Sequence, residues 1–381
     1  MEKTTPIENI IEFGDNRATM KKWAEQGVKV QTCITSPPYY GLRDYGTAKW
    51  EGGNDPNCQH IKDESKTKKF GNEEFNKNAP SREQTKTPGY YYEHKCELCG
   101  ATKEDGQLGM EKTPEEFIEN MVDVFRHVKN ILADDGTLWI NIGDSYAGSN
   151  SVASNNGRAG FGNTREKVVN RTGDGIKPKD LIGIPWMLAF ALRQDGWYLR
   201  QDIIWHKPNP IPESVKDRCT KSHEYIFLLS KQERYYFNYE AIKEPLADES
   251  RTNFQSGSGS FVVNEDHKDN DLSEKSKNVV YDSRNKRDVW SVNVRPYKGA
   301  HFATYPMELI EPCVLAGSKP GDIVLDPFMG SGTTAQVAKR HDRKYLGCEL
   351  NPNYGSLQEE RIKSENWGDP VNPEDPIFKF E

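Results

Sequence analysis

The segment Ser36-Pro37-Pro38-Tyr39 combines residue types that can act together on an amino group. It follows an apolar run, Val28–Thr35, which we predict to be a buried strand, and the two prolines end that strand because they donate no backbone hydrogen bond. Proline also fixes the backbone, so that a serine hydroxyl and a proline carbonyl become aligned acceptors for two amino hydrogens, while the tyrosine offers a face for a planar ring. Such acceptors would make a ring-conjugated nitrogen more nucleophilic. The alternative is a rigid turn without a chemical role.

A second segment, IVLDPFMGSGTTAQVAKR, joins a short apolar strand (Ile323–Leu325) to a glycine turn and a helix. Glycines allow positive φ and close ligand approach, and the start of a helix offers N–H groups. The later strand KYLGCEL ends near Glu349, where a carboxylate can accept both hydroxyls of a ribose. The turn lacks a P-loop lysine and the dinucleotide-motif spacing. A nucleoside ligand without phosphate, such as S-adenosylmethionine, fits this pattern, and an ordinary tight turn between strand and helix is the alternative.

The cysteines suggest one metal site. Seven cysteines are scattered over the 381 residues, which favours reduced thiols over a disulfide framework. Cys58, His60, Cys96 and Cys99 have the types and spacing of a four-ligand structural zinc site, with His94 as a rival ligand. A redox role for the CxxC pair is disfavoured because no strand-helix pattern adjoins it.

Strand and helix patterns alternate along the chain. Thr113 is the predicted N-cap of the helix TPEEFIENMVDVFRHVKNIL, with Glu116 completing a capping box. Gly136 ends this helix and the strand TLWINIGD follows; a further helix is predicted over 180–193 and a further strand over 197–205. Such alternation predicts an α/β fold with a mostly parallel, twisted sheet and helices on both faces.

The formal net charge of −7 gives no global sign of nucleic-acid binding. Residues 151–245, however, carry fifteen Lys and Arg against eleven Asp and Glu, interleaved with Asn, Gly and aromatic residues. This mixture can contact phosphates and bases, although a solvated surface is the alternative. No apolar run of about 18 residues and no signal-peptide pattern occurs, so we expect a cytoplasmic protein without a membrane partner.

Together, the two motifs resemble those of the amino-group DNA methyltransferases in which the catalytic motif precedes the cofactor motif. TSPPYYGLRDYG, and DPFMGSGTT followed by GCELNPNY, carry the resemblance, which covers roughly residues 8–50 and 107–360. It implies a Rossmann-like, circularly permuted methyltransferase fold with insertions, S-adenosylmethionine as cofactor, and a base flipped out of double-stranded DNA as substrate. It also allows a cognate restriction endonuclease, in a bacterial or phage-infected cell, and either a monomer or a homodimer.

The predicted site residues follow from the motifs and the resemblance. The catalytic residues are Ser36, Pro37, Pro38 and Tyr39, and the cofactor-binding residues are Asp15, His301, Asp326, Phe328, Gly330, Ser331, Gly332, Thr333 and Glu349. By resemblance, Asp15 meets the cofactor's adenine amino group and Glu349 its ribose. His301, in HFATYP, matches the motif that lines the methionine end, or else is a core residue.

The resemblance also suggests a division of the chain. We predict a catalytic domain from residues 1–49, 106–206 and 288–365, an insertion at 50–105, a target-recognition region with a mobile polar loop at 207–287, and a tail at 366–381.

Several readings of the activity stay open. Ser36, in place of Asp or Asn, resembles the cytosine-N4 branch, and adenine-N6 is the alternative. An RNA or protein methyltransferase and a silent DNA-binding relative are further alternatives. Cys313 follows Pro312, as the nucleophile of carbon-5 cytosine methyltransferases does, but the motif order is wrong for that class, and we predict that Cys313 and Cys33 are structural.

Overall fold

The computed structural model describes residues 7–41, 49–55, 57–58, 96, 99–104, 106–147, 175–245, 283–295 and 304–364. The predictions for His60, His94 and His301 therefore lie outside the described residues, as does the tail at 366–381. No helix within the described ranges has the length and apolar character needed to span a membrane.

Twelve strands and six α-helices lie within the described residues. The strands are β1 (Ile10–Phe13), β2 (Val30–Thr35), β3 (Lys49–Glu51), β4 (Thr102–Glu104), β5 (Leu132–Ile142), β6 (Tyr198–His206), β7 (His223–Ser230), β8 (Glu244–Pro245), β9 (Ser283–Arg284), β10 (Val289–Ser291), β11 (Ile323–Asp326) and β12 (Lys344–Glu349). The helices are α1 (Asn16–Glu25), α2 (Pro114–Ile131), α3 (Ile184–Gln194), α4 (Met307–Gly317), α5 (Thr333–Arg340) and α6 (Gly355–Lys363). Single 3₁₀ turns occur at Glu240–Ile242 and Pro352–Tyr354.

Eight of the strands form one sheet in the order β1-β12-β11-β2-β5-β7-β6-β10. Neighbouring strands are parallel except where β7 pairs with β5 and β6, so β7 alone runs antiparallel. The remaining pairs, β3 with β4 and β8 with β9, are small antiparallel ribbons. The prediction of an α/β fold with a mostly parallel sheet is confirmed.

Both faces of the sheet are buried, which is the usual consequence of parallel pairing. Successive residues of β5 point to opposite sides: Leu138 and Ile140 join the cluster packed against α1, α2 and α3, whereas Trp139 joins the cluster packed against α4 and α5. Cys33 and Ile34 divide in the same way in β2. The helices therefore cover both faces, as predicted.

The predicted start of α2 is confirmed in detail. The Thr113 hydroxyl accepts a hydrogen bond from the Glu116 backbone N–H at 3.1 Å, with Pro114 in the first helical turn. The Glu116 carboxylate reaches back to the N–H of Lys112, one residue before the cap, at 3.2 Å. These contacts satisfy donors that a helix N-terminus leaves unpaired.

Two predicted boundaries were wrong. Helix α3 begins at Ile184 rather than at 180, because the Asp144 carboxylate accepts the N–H groups of Gly183 and Ile184 there. Strand β5 begins at Leu132, before the expected break at Gly136. The register between β2 and β5 shifts at one point: Val30 pairs with Leu132, but Thr32 pairs with Thr137. The extra residues lie on β5, which is therefore irregular where the sequence shows charged residues and a glycine.

The sheet also reaches into the segment predicted for target recognition. Strand β7, at 223–230, lies within 207–287 and is hydrogen-bonded between β5 and β6. On either side of it, the described parts of that segment are the loop 207–222, residues 231–245 and residues 283–287.

Candidate active site

The two motif corners lie side by side because their strands are neighbours. β2 and β11 pair in parallel, with Val324 opposite Thr32 and Leu325 opposite Cys33. The carboxyl ends of parallel strands meet at one edge of a sheet, so the serine-proline turn after β2 and the glycine turn after β11 emerge together. A hydrogen bond of 2.6 Å from the Thr35 hydroxyl to the Asp326 carboxylate joins the strand ends.

Both corners line one cavity of about 630 Å³. The predicted residues on its wall are Asp15, Ser36, Pro37, Pro38, Tyr39, Phe328, Gly330, Ser331, Thr333 and Glu349. Asp326 and Gly332 are not among the described residues of the wall, and His301 lies outside the described residues. The structure thus brings most of the predicted site to one place.

Glu349 occupies the end of β12, beside the glycine turn. Its carboxylate accepts the backbone N–H groups of Gly330 and Asn351, each at 2.8 Å. Burial raises the pKa of Glu349 to about 7, against the lowering effect of those hydrogen bonds. The carboxylate is therefore placed to accept hydroxyl hydrogens, and its charge changes near neutral pH.

Asp326 lies behind the cavity wall and organises it. Its buried carboxylate accepts from Thr35, from the Thr334 hydroxyl at 2.5 Å, and from the Tyr305 hydroxyl and the Phe328 N–H at 3.0 Å each. Burial raises the pKa of Asp326, and the hydrogen bonds oppose that rise. Asp326 thus fixes the turn instead of facing the cavity.

The glycine turn needs its glycines. Gly330 and Gly332 have φ values of +53° and +88°, a region that side chains with a Cβ rarely adopt. Helix α6 holds the turn from outside, since the Gln358 side chain donates to the Gly330 carbonyl at 2.7 Å and Arg361 hydrogen-bonds Ser331. These contacts from α6 were not predicted from the sequence.

Asp15 lies at the edge of the cavity as the N-cap of α1. Its carboxylate accepts from the backbone N–H groups of Arg17 and Ala18 and pairs with the Arg17 guanidinium at 2.8 Å. Burial raises the pKa of Asp15, but the Arg17 hydrogen bond and the backbone donors outweigh it, so the net pKa is lowered. Asp15 is thus a fixed acceptor at this wall.

At the other corner, the Tyr39 ring is held from two sides. Its hydroxyl donates to the Glu224 carboxylate at 2.7 Å and lies 3.3 Å from the Asn141 side-chain oxygen. A Cβ on Gly143 would lie 2.8 Å from the ring, so this glycine lets the strand end approach closely. Ser36 lines the cavity, and none of the described residues forms a hydrogen bond with its hydroxyl.

A polar network around Tyr39 was not predicted from the sequence. Lys207 forms an ion pair with Glu224, both side chains are less than 20% exposed, and the Lys207 ammonium lies over the Trp205 ring, 4.2 Å from its centre. The Asn141 amide donates to the Tyr225 carbonyl at 3.1 Å. These residues come from β5, β6, β7 and the loops that follow, so no local motif could reveal them.

The segment 106–109 also reaches the cavity, with Gln107 and Leu108 on its wall. Gly109 accepts a hydrogen bond of 2.6 Å from the N–H of Gly41, next to the catalytic turn. This segment follows β4, so the predicted insertion is joined directly to the site.

Five of the seven cysteines fall into two groups. The sulfur atoms of Cys58, Cys96 and Cys99 all lie within 4.8 Å of one another. Cys313 and Cys33 are buried in the core, where burial raises the pKa of each thiol, and neither lines the cavity. This placement supports structural roles for Cys33 and Cys313.

Comparison with known proteins identifies the family of this chain. Residues 30–360 match the model of the N6_N4_Mtase family, described as DNA methylase. The chain belongs to this family, which confirms the resemblance: it is an S-adenosylmethionine-dependent DNA methyltransferase for which cytosine-N4 and adenine-N6 are both allowed targets.

Curated relatives match over most of their length. The chain is 39% identical over 344 residues to the Type II methyltransferase M.Cfr9I of Citrobacter freundii, covering 88% of this chain and 82% of the relative. It is 41% identical over 334 residues to M.SmaI of Serratia marcescens, covering 86% and 82%. Among solved structures, the PvuII DNA methyltransferase (cytosine-N4-specific) matches with a TM-score of 0.52 and 15% identity, covering 95% of this chain and 89% of that one, and shows the same fold.

Proposed function

We propose that this chain transfers a methyl group from S-adenosylmethionine to the exocyclic N4 amino group of a cytosine flipped out of double-stranded DNA. The observation that carries the proposal is the single cavity shared by the Ser36–Tyr39 turn and the Gly330 turn. The identity of Ser36 favours cytosine. Adenine-N6 is the second candidate, because the family allows it.

The cofactor fits the glycine corner by its chemistry. Backbone at positive φ leaves room for close approach at Gly330, and Glu349 offers acceptors to a ribose diol. Asp15, with its lowered pKa, can accept from an adenine amino group. When bound, S-adenosylmethionine supplies a methyl group made electrophilic by the sulfonium charge.

The residues of the serine-proline corner act on the amine. The Ser36 hydroxyl and the Pro37 carbonyl accept the two amino hydrogens, which localises the nitrogen lone pair and directs it across the cavity. Once the nitrogen carries the methyl group, one of these hydrogens leaves as a proton to solvent. The base stacks on Tyr39, whose orientation is fixed by Glu224 and Gly143. Holding the amine in line with the methyl group in this way supplies most of the rate enhancement, because proximity and orientation alone lower the activation free energy by several kcal/mol.

The mouth of the cavity is the surface we assign to target recognition. The loop 207–222 contributes Ile211, which is 82% exposed although it lines the cavity. Asn209 ties this loop to residues 283–295 by two hydrogen bonds with the backbone of Val294, at 2.8 and 3.0 Å. We assign target recognition also to the remaining predicted residues, up to 287. We further propose that the chain acts with a cognate endonuclease in a Type II system.

The activity is tested by nucleoside mass spectrometry of DNA from cells that express the chain. We expect N4-methylcytosine with the wild type and none with Ser36→Ala or Tyr39→Ala, although calorimetry should show that both variants keep their cofactor affinity. N6-methyladenine in its place would establish the second candidate. Full activity in both variants would contradict the proposed mechanism. Transfer of a radiolabelled methyl group to RNA or protein alone would contradict DNA as the substrate.

Methylation-sensitive sequencing of the same DNA identifies the recognition site. Each methylated position should lie in one short sequence, since base-edge contacts in the major groove discriminate strongly between base pairs.

A further inference from the structure

The three clustered cysteines form a second site at the base of the β3–β4 ribbon. The Sγ atoms of Cys58 and Cys96 lie 3.8 Å apart, and Cys99 completes a triangle with all separations within 4.8 Å. A tetrahedral zinc ion with bonds of about 2.3 Å requires sulfur atoms about 3.8 Å apart. A disulfide, by contrast, requires about 2.05 Å. The spacing therefore suits a metal and not a covalent bond.

The described backbone beside the cysteines is hydrogen-bonded across the CxxC pair. The Gly100 N–H donates to the Cys96 carbonyl at 2.8 Å, and Gly100 has a φ of +76°. The N–H of Ala101 lies 3.4 Å from the Cys99 sulfur, where a donor stabilises a thiolate. A Cβ on Gly53 would lie 3.1 Å from the same sulfur, so that the opposite turn also closes over the cluster.

The described part of this region has little apolar surface with which to stabilise itself. Its cluster of buried residues comprises only the two cysteines of the CxxC pair and Ala101, with Trp50 and Cys58 packed against them, among the described residues. The ribbon joins only three residue pairs, Lys49–Glu104 to Glu51–Thr102. An isolated two-stranded ribbon of this size has marginal stability in water and needs a cross-link such as a bound metal.

Such a cross-link would affect the active site because the ribbon leads into the cavity wall. β4 ends two residues before Gly106, and Gln107 and Leu108 line the cavity. Gly109 packs on the Tyr39 backbone, where a Cβ would lie 3.0 Å from the carbonyl oxygen. An ordered ribbon therefore orders one side of the serine-proline corner.

We propose that Cys58, Cys96 and Cys99 bind a structural zinc ion that fixes the β3–β4 ribbon against the serine-proline corner of the active site. The three sulfurs supply three of the four ligands that a tetrahedral zinc ion takes. The ion carries no chemistry of methyl transfer, because the cysteines are separate from the cavity wall.

The proposal is tested by the metal content of the full chain, expressed with zinc in the medium. Elemental analysis should find one zinc per chain in the wild type and in Cys219→Ser, a matched control at an exposed cysteine. Cys96→Ser and Cys99→Ser should lose at least nine-tenths of it. X-ray absorption at the zinc edge of the wild type should show sulfur ligands at about 2.3 Å, and this readout does not depend on the variants folding.

Two results would overturn the site: wild-type protein without zinc, or zinc retained in both variants. A chelator that removes the ion should lower DNA methylation at least tenfold and change the cofactor dissociation constant less than twofold. Because zinc content is measured without any methylation assay, the site can stand or fail independently of the proposed activity.

Discussion

Two carboxylates at the glycine corner, the buried Asp326 and the partly exposed Glu349, have different tasks, and their partners explain why. Asp326 is surrounded by four donors and is not on the cavity wall, so its role is to hold the turn. Glu349 accepts only backbone donors and faces the cavity, and its pKa is raised to about 7. Only Glu349 can therefore couple ligand binding to proton release near neutral pH.

Cofactor affinity should consequently depend on pH. Ribose hydroxyls donate to the ionised form of Glu349, which is populated as pH rises through its pKa of about 7. Affinity should therefore increase about tenfold between pH 6 and pH 8, as linkage requires for one such group. Calorimetry at both pH values measures this. In Glu349→Gln the affinity should be weaker and flat, and a flat wild-type profile would contradict the role.

The Glu224 side chain should act through Tyr39. Glu224→Gln keeps the shape but removes the charge that pairs with Lys207 and receives the tyrosine hydroxyl. Since a hydrogen bond to a charged group is worth about 1.5–3 kcal/mol, kcat should fall about tenfold or more while the cofactor affinity stays unchanged. The control is Glu359→Gln, an exposed partner of Lys363, which should have wild-type rates. Equal rates in both variants would show that the ring needs no such support.

At this scale the sequence predicted the residues that lie in local motifs and missed those that do not. The Ser36–Tyr39 and Gly330–Gly332 turns are contiguous, so their types and spacing carry a signal. Glu224 and Lys207 contribute through contacts between separate elements, which leave no local pattern. His60 and His301 stay predictions.

Among the elements, the ends of strands matter more than their interiors. β5 delivers Asn141 and Gly143 to the cavity, and the close approach at Gly143 sets the position of the Tyr39 ring. Helix α2 could be predicted from its helical apolar spacing and its N-cap, and β5 from the apolar run after Gly136, although β5 begins earlier, at Leu132. Strand β7, the one antiparallel strand of the eight-stranded sheet, was missed because it lies within a segment that was assigned to target recognition.

Gly143→Ala should therefore impair catalysis from a strand end. The new Cβ would lie 2.8 Å from the Tyr39 ring and 3.3 Å from the Glu224 side chain, so the ring must move. We expect kcat to fall at least tenfold, with an unchanged cofactor dissociation constant, because misplacement of about 1 Å can cost about a hundredfold in rate. Gly355→Ala is the control, since its Cβ would meet Phe13 at an ordinary 3.4 Å. Steady-state kinetics on DNA would contradict this account if the two variants matched.

For the whole molecule, the order of the motifs along the chain differs from their arrangement in space. Thr35 and Asp326 are 291 residues apart in sequence and 2.6 Å apart in the structure. Each turn could be predicted from its own residues, but their adjacency could be inferred only through the resemblance, because strand pairing across such a separation has no local signature. The parallel pairing of β2 with β11 supplies the missing reason.

The central claim is that an amine held at one corner meets a methyl group held at the other. The most direct measurement is the structure of the chain with sinefungin and a duplex that contains the sequenced recognition site. The account predicts a flipped cytosine on Tyr39, with its amino nitrogen about 3–3.5 Å from the sinefungin amine that replaces the methyl group. A cofactor analogue bound outside the Gly330 corner, or a target base that stays stacked in the duplex, would contradict it.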